Sequence, residues 1–79
     1  MTMQAAKALL DANAFVPFRI HMTDGKSFDI QHPDFVWVFR NRLDLAILAD
    51  AAQGIVDHVE RCFFLHIVRV EELQPRSAA

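Results

Sequence analysis

The feature that most constrains this 79-residue chain is the stretch PFRIHMTDGKSFDIQHPDF at residues 17–35. Phe18, Ile20 and Met22 alternate with Arg19 and His21 before Asp24-Gly25, and Phe28 and Ile30 alternate with Ser27 and Asp29 after it. Period-two alternation on both sides of an Asp-Gly pair predicts a β-hairpin. The faces then select the register. A two-residue Asp24-Gly25 loop sets Met22 opposite Ser27 and Ile20 opposite Asp29, mixing apolar and polar groups on one face. A three-residue Thr23-Asp24-Gly25 loop, with Gly25 as the left-handed residue of a bulge, sets Ile20 opposite Phe28, Phe18 opposite Ile30 and Arg19 opposite Asp29. The second register keeps one face apolar, and that face needs another layer to cover it.

Around this hairpin the rest of the chain reads as short elements. Thr2 can cap a helix over residues 3–12, rich in Ala, Leu, Gln and Lys but too short to stand alone in water. After the hairpin, His32-Pro33 marks a turn: Pro33 suits the first position of a single helical turn, and His32 is pushed toward extended backbone by the proline that follows. Residues 35–40 carry apolar groups on both faces, with Phe35, Trp37 and Phe39 on one side and Val36 and Val38 on the other. Such a strand is either central or covered on its second side by the helix or a partner. With Arg40-Asn41-Arg42 as the loop, Phe39 faces Leu43, Trp37 faces Leu45 and Phe35 faces Ile47, giving a second hairpin with a strand over 43–48.

The span after Gly54 admits two readings. Ile55, Val59, Phe63 and Ile67 recur every four residues as on a helix, whereas the density of Val, Ile and Phe favours strands. We read strands over 55–61 and 65–71 joined by a bend at 62–64, and a frayed tail over 74–79 following a single domain of residues 1–73. The expected fold is mainly β with one N-terminal helix: a small five-stranded, partly closed barrel of the Sm-like or SH3-like kind. An open antiparallel sheet backed by the helix is the alternative.

The four dipeptides Pro17-Phe18, Asp24-Gly25, His32-Pro33 and His66-Ile67 in this order resemble a group of small bacterial proteins without a characterised activity. That group carries a PFxIxxxDGRxFxxxHPEF-like stretch followed by a terminal HIxxIE-like strand. The likeness spans residues 17–71, with Lys26 and Asp34 where Arg and Glu are usual. It implies a small β domain and a strand near residues 65–71, and it brings no activity, cofactor or partner. A looser likeness to Sm-like proteins rests on the early helix, the Asp-Gly turn and the strand count. The chain lacks a nucleotide-stacking and basic-loop signature, so function does not transfer with that fold.

Composition narrows the function classes. Eight Lys and Arg against ten Asp and Glu give a formal charge of −2, so no broad field attracts nucleic acid or an anionic membrane. Nothing resembles a secretory leader or an apolar run of about 20 residues, and the single Cys62 permits no internal disulfide, so a cytoplasmic, non-membrane protein is expected. The apolar fraction of 53%, with seven Phe and one Trp, is high for so short a chain and leaves apolar surface for a partner. Self-association as a homodimer or higher oligomer, or contact with another protein, is therefore the expected role. Val36, Trp37, Val38, Phe63 and Phe64 are the candidate contact groups. Arg40 and Arg42 form the one local basic patch and the candidate contact for a polyanion, with Trp37 or Phe39 as stacking groups. Asp24, Gly25, His32 and Pro33 are read as structural turn residues.

Chemistry is weakly supported. His58, Cys62 and His66 at four-residue intervals would line one side of a helix near Asp57 or Glu60, but the spacing matches no compact zinc pattern. Cys62, flanked by Phe63 and Phe64, has the setting of a buried thiol rather than a nucleophile. The two glycines are isolated, so no loop cradles a phosphate. No catalytic residue, metal or cofactor is expected.

Overall fold

The computed structural model describes residues 1–50 and 52–73; the tail expected over 74–79 lies outside the described residues. Helix α1 (Met3–Leu10) begins where the Thr2 hydroxyl accepts the Ala5 N–H at 3.0 Å. It ends where the Asp11 N–H donates to the Lys7 carbonyl at 2.8 Å, short of the expected Ala12. Its buried residues are Ala6 and Leu10, so α1 contributes a narrow apolar stripe to the core and lies against the third strand.

The first hairpin pairs β1 (Phe18–Met22) with β2 (Ser27–Ile30) in the expected register, with Phe18 opposite Ile30, Arg19 opposite Asp29 and Ile20 opposite Phe28. The Met22 N–H donates to the Lys26 carbonyl at 2.8 Å and the Gly25 N–H to the Met22 carbonyl at 3.0 Å, closing the loop at Thr23-Asp24-Gly25. Gly25 has φ of 89°, which a side chain would strain, and Asp24 Oδ1 accepts the Lys26 N–H at 2.9 Å. The loop chemistry and the apolar face therefore agree on one pairing.

A 3-10 turn at Pro33–Phe35 follows, entered from His32 in extended backbone at φ −142° and ψ 133°. It leads into β3 (Val36–Val38) and, after the second loop, β4 (Arg42–Asp50). Here the expected register is wrong by one residue. Val36 faces Leu45, Trp37 faces Asp44 and Val38 faces Leu43, while the Phe39 N–H donates to the Arg42 carbonyl at 2.8 Å across a two-residue Arg40-Asn41 loop. The slip turns over every side chain of β3. Val36 and Val38 now pack against the core, and Trp37 and Phe39 face outward. Both faces of this strand are apolar, so the pattern alone leaves the choice open. The narrow valines fit beneath α1, whereas a buried indole would need a partner for its N–H.

Strand β5 (Ile55–Phe63) settles the ambiguous span as extended chain, entered through Gly54 at φ 70°. A second 3-10 turn at Phe64–His66, rather than a bend at 62–64, leads into β6 (Ile67–Glu72). The strands form two three-stranded antiparallel sheets, ordered β2-β1-β6 and β3-β4-β5. The expected Sm-like or SH3-like barrel is thus not formed, nor is there one open five-stranded sheet. The two 3-10 turns supply the reason. At each crossing between sheets the backbone bonds locally, Val36 N–H to Pro33 carbonyl and Ile67 N–H to Phe64 carbonyl, and the ladder is not carried from β2 to β3 or from β5 to β6.

The core brings both sheets and the helix together. Phe18, Ile20, Leu43 and Cys62 are fully buried and are joined by Ile30, Leu45, Phe64 and Ile67, with Ala6 and Leu10 from α1. Burial of each large side chain contributes about 1.5–3 kcal/mol. The second 3-10 turn is tied to both hairpin loops: the Phe64 N–H donates to the Asn41 carbonyl at 2.9 Å and the Thr23 N–H to the His66 carbonyl at 2.8 Å. Among the described residues no helix is long and apolar enough to cross a membrane.

Candidate functional site

The register of β3, β4 and β5 fixes what their outer face presents. Directly opposed residues of an antiparallel pair share a face. One row therefore crosses the sheet as Phe39, Arg42 and Phe63, the next as Trp37, Asp44 and Arg61, and a third joins Ala46 to Val59. Trp37 is 48% exposed, and Phe39, Val59 and Phe63 are similarly open. The result is an apolar surface on one side of one sheet, with an ion pair at its centre.

That ion pair is organised by the aromatic residues around it. Arg42 Nε donates to Asp44 Oδ1 at 2.9 Å, and both side chains are largely shielded from solvent. The guanidinium carbon lies 4.2 Å from the centre of the Phe39 ring and 6.0 Å from that of Phe63. Arg42 therefore contacts both an aromatic ring and a carboxylate, and Asp44 matches its charge. Arg40, its neighbour in the expected basic patch, lies in the two-residue loop and is exposed. The pair does not act as two free cations at one tip.

Of the five residues expected to make protein contacts, Trp37 and Phe63 lie on this outer face, whereas Val36, Val38 and Phe64 point inward. Phe39 and Val59 complete the surface and were not among those five. Their signal was the register of the second hairpin for Phe39. For Val59 it was the alternation Val59, Arg61, Phe63, which reads as a broken face until Asp44 supplies a polar neighbour for Arg61.

The turn residues do structural work. Asp24 and Gly25 shape the first loop, while His32 stacks edge-on against Phe35 with ring centres 6.1 Å apart, next to Pro33. The other histidines are dispersed. His21 Nε2 sits 3.0 Å from Glu71 Oε1, and His66 Nδ1 3.4 Å from the Thr23 hydroxyl. The Glu71 carboxyl is held below the usual range, first by its hydrogen bond to His21. His58 lies on β5 between two carboxylates, with Nδ1 2.6 Å from Asp57 Oδ2 and Nε2 2.8 Å from Glu60 Oε2. These hydrogen bonds, that to Asp57 foremost, raise its pKa above the ordinary imidazole value.

The fold separates Cys62 and His66 from His58. Strand geometry in place of a helix sends Cys62 into the core and leaves His66 in the 3-10 turn. Burial pushes the Cys62 thiol up to about 11, far from a ready thiolate. Among the described residues no cluster of three His, Cys, Asp or Glu side chains is placed to hold a metal ion. A hollow of about 200 Å³ between β2, the first 3-10 turn and β4 is lined mainly by apolar groups, and its Asp29 is already tied to Arg19.

No family model matches the sequence, and comparison with curated proteins and with solved structures returns no similar chain.

Proposed function

We propose that the chain is a non-enzymatic protein-interaction module that self-associates through the sheet β3-β4-β5. The observation that carries this reading is the outer face of that sheet, where Trp37, Phe39, Val59 and Phe63 stand in solvent around the Arg42–Asp44 pair. Large apolar groups gathered on one face, with a satisfied polar centre and charged neighbours, have the make-up of a contact surface. Aromatic residues with an arginine are also the side chains that concentrate binding energy at protein interfaces. A polyanion contact is the weaker reading, because the charge of Arg42 is already matched by Asp44 and the chain carries a net charge of −2.

Sedimentation equilibrium and light scattering across a concentration series test the proposal. Association in the micromolar range is expected, weakened at least about tenfold by Phe63→Ala, which removes an exposed aromatic group of β5. A chain that stays monomeric at several hundred micromolar overturns it.

A further inference from the structure

The same sheet has a free edge, and its sequence is self-complementary. Strand β5 pairs only with β4, so the other side of its nine residues has no ladder partner. Free edges usually carry charges and bulges that discourage pairing with another chain. β5 carries both, yet its charges are arranged so that an antiparallel copy centred on Val59 meets opposite signs. In that pairing Val59 faces Val59 of the second copy and His58 faces Glu60. Asp57, the extra residue of a bulge marked by Ile47 facing His58 and Leu48 facing Val56, comes alongside Arg61. Registers centred on Glu60 or Arg61 would instead set like charges face to face. Arg61 has no ion-pair partner among the described residues, so its charge is available across the two-fold axis. Val59 itself is 50% exposed, and Ile55 and Val56 along the same strand are as open.

We infer that the second copy of the chain docks edge to edge, β5 against β5 about a two-fold axis at Val59, extending the sheet to the order β3-β4-β5-β5-β4-β3. This rests on the self-association proposed above and names its geometry. The other edges are poorer candidates. β2, β3 and β6 have four, three and six residues, against nine in β5. Edge pairing also sets the two outer faces side by side, so the aromatic surfaces of both copies become one platform.

Cysteine placement reads the axis directly. Opposed residues of an antiparallel pair have Cα atoms about 4.5–5.5 Å apart, within the span of a disulfide. Under mild oxidation Val59→Cys is expected to form a covalent dimer. Arg61→Cys, whose two copies lie about 13 Å apart along the strands, and the β6 variant Val70→Cys are expected not to. Wild type, with Cys62 buried, is the blank. Independently, Glu60→Lys sets Lys against His58 and is expected to weaken association about tenfold, and adding His58→Glu is expected to restore it. Circular dichroism and thermal melts confirm that each variant is folded. A wild-type chain that is monomeric at several hundred micromolar overturns the self-association reading and this geometry with it. A dimer that cross-links through Val70→Cys, or not through Val59→Cys, or that ignores Glu60→Lys, overturns the edge pairing alone.

Discussion

The hairpins β1–β2 and β3–β4 are built from similar material and were legible to very different degrees. In the first, polar groups at Arg19, Asp29, His21 and Ser27 mark one face as solvent, and a one-residue slip would bury them. In the second, β3 is apolar on both sides, so Val36 and Val38 or Trp37 and Phe39 could satisfy the core by pattern alone. The decision is made by size and by partners off the strand. α1 lies over β3 and accepts valines, and Arg42 finds the Phe39 ring at 4.2 Å only when that ring faces outward. Alternation fixes a register where it is one-sided, and where it is two-sided the register is a property of the tertiary structure.

Truncations across the two hairpins should break this comparison most strongly. Ile20→Ala and Leu43→Ala each remove a fully buried side chain, and each is expected to cost about 2–5 kcal/mol by chemical denaturation. Trp37→Ala, on the outer face of the second hairpin, is expected to cost less than about 1 kcal/mol although it deletes the larger group. If Trp37→Ala were as damaging as Leu43→Ala, β3 would be turned the other way, in the register that alternation alone suggests.

A smaller effect separates the two loops. Gly25 holds φ at 89° with open space where a Cβ would stand, so Gly25→Ala is penalised by backbone strain and not by a clash. A cost of about 1–2 kcal/mol is expected. Asn41→Ala in the two-residue loop loses only a 3.5 Å contact from its side-chain oxygen to Arg42 Nη1, and a change within about 0.5 kcal/mol is expected. Equal costs at the two positions would show that the left-handed residue is not what pins the first register.

The same division between local and distant causes runs through the rest of the molecule. The Thr2 cap, the Asp24-Gly25 loop, the His32-Pro33 turn and the β character of residues 67–70 could be read because each is decided within a few residues, whereas Leu65 and His66, expected in that strand, lie in the 3-10 turn. The division into two sheets could not. It follows from the two 3-10 turns, and the second of these is held by contacts between segments far apart in the chain, the Phe64 N–H to the Asn41 carbonyl and the Thr23 N–H to the His66 carbonyl. Candidate contact residues divided along the same line. Trp37 and Phe63 were recognisable as bulky groups in excess, but which bulky groups stay outside follows from the β3 register and the 3-10 turn that carries Phe64 inward. The charge symmetry of β5 about Val59 was present in the sequence throughout. It gains meaning only once β5 is known to be an edge.

The smallest expected effect sharpens the account of the first hairpin. Arg19 Nε and Nη2 donate to the two carboxylate oxygens of Asp29, at 2.6 and 3.2 Å, directly across the β1–β2 ladder. The hydrogen bond from Arg19 is the main reason the Asp29 carboxyl is held below its usual range, its charge adding to the effect. A folded-state pKa below the unfolded one means that the pair stabilises the fold above the unfolded value, and that this contribution is lost as pH falls through the folded value. Carboxyl-detected NMR titration should therefore place the Asp29 midpoint below that of an ordinary aspartate, and Arg19→Gln should move it upward. Both side chains are more than a third exposed, so the stability difference between wild type and Arg19→Gln should be slight at neutral pH, shrink in high salt and vanish in acid. A neutral-pH difference that survives high salt would mean that the pair does more than decorate a register already chosen by Ile20, Phe28, Phe18 and Ile30.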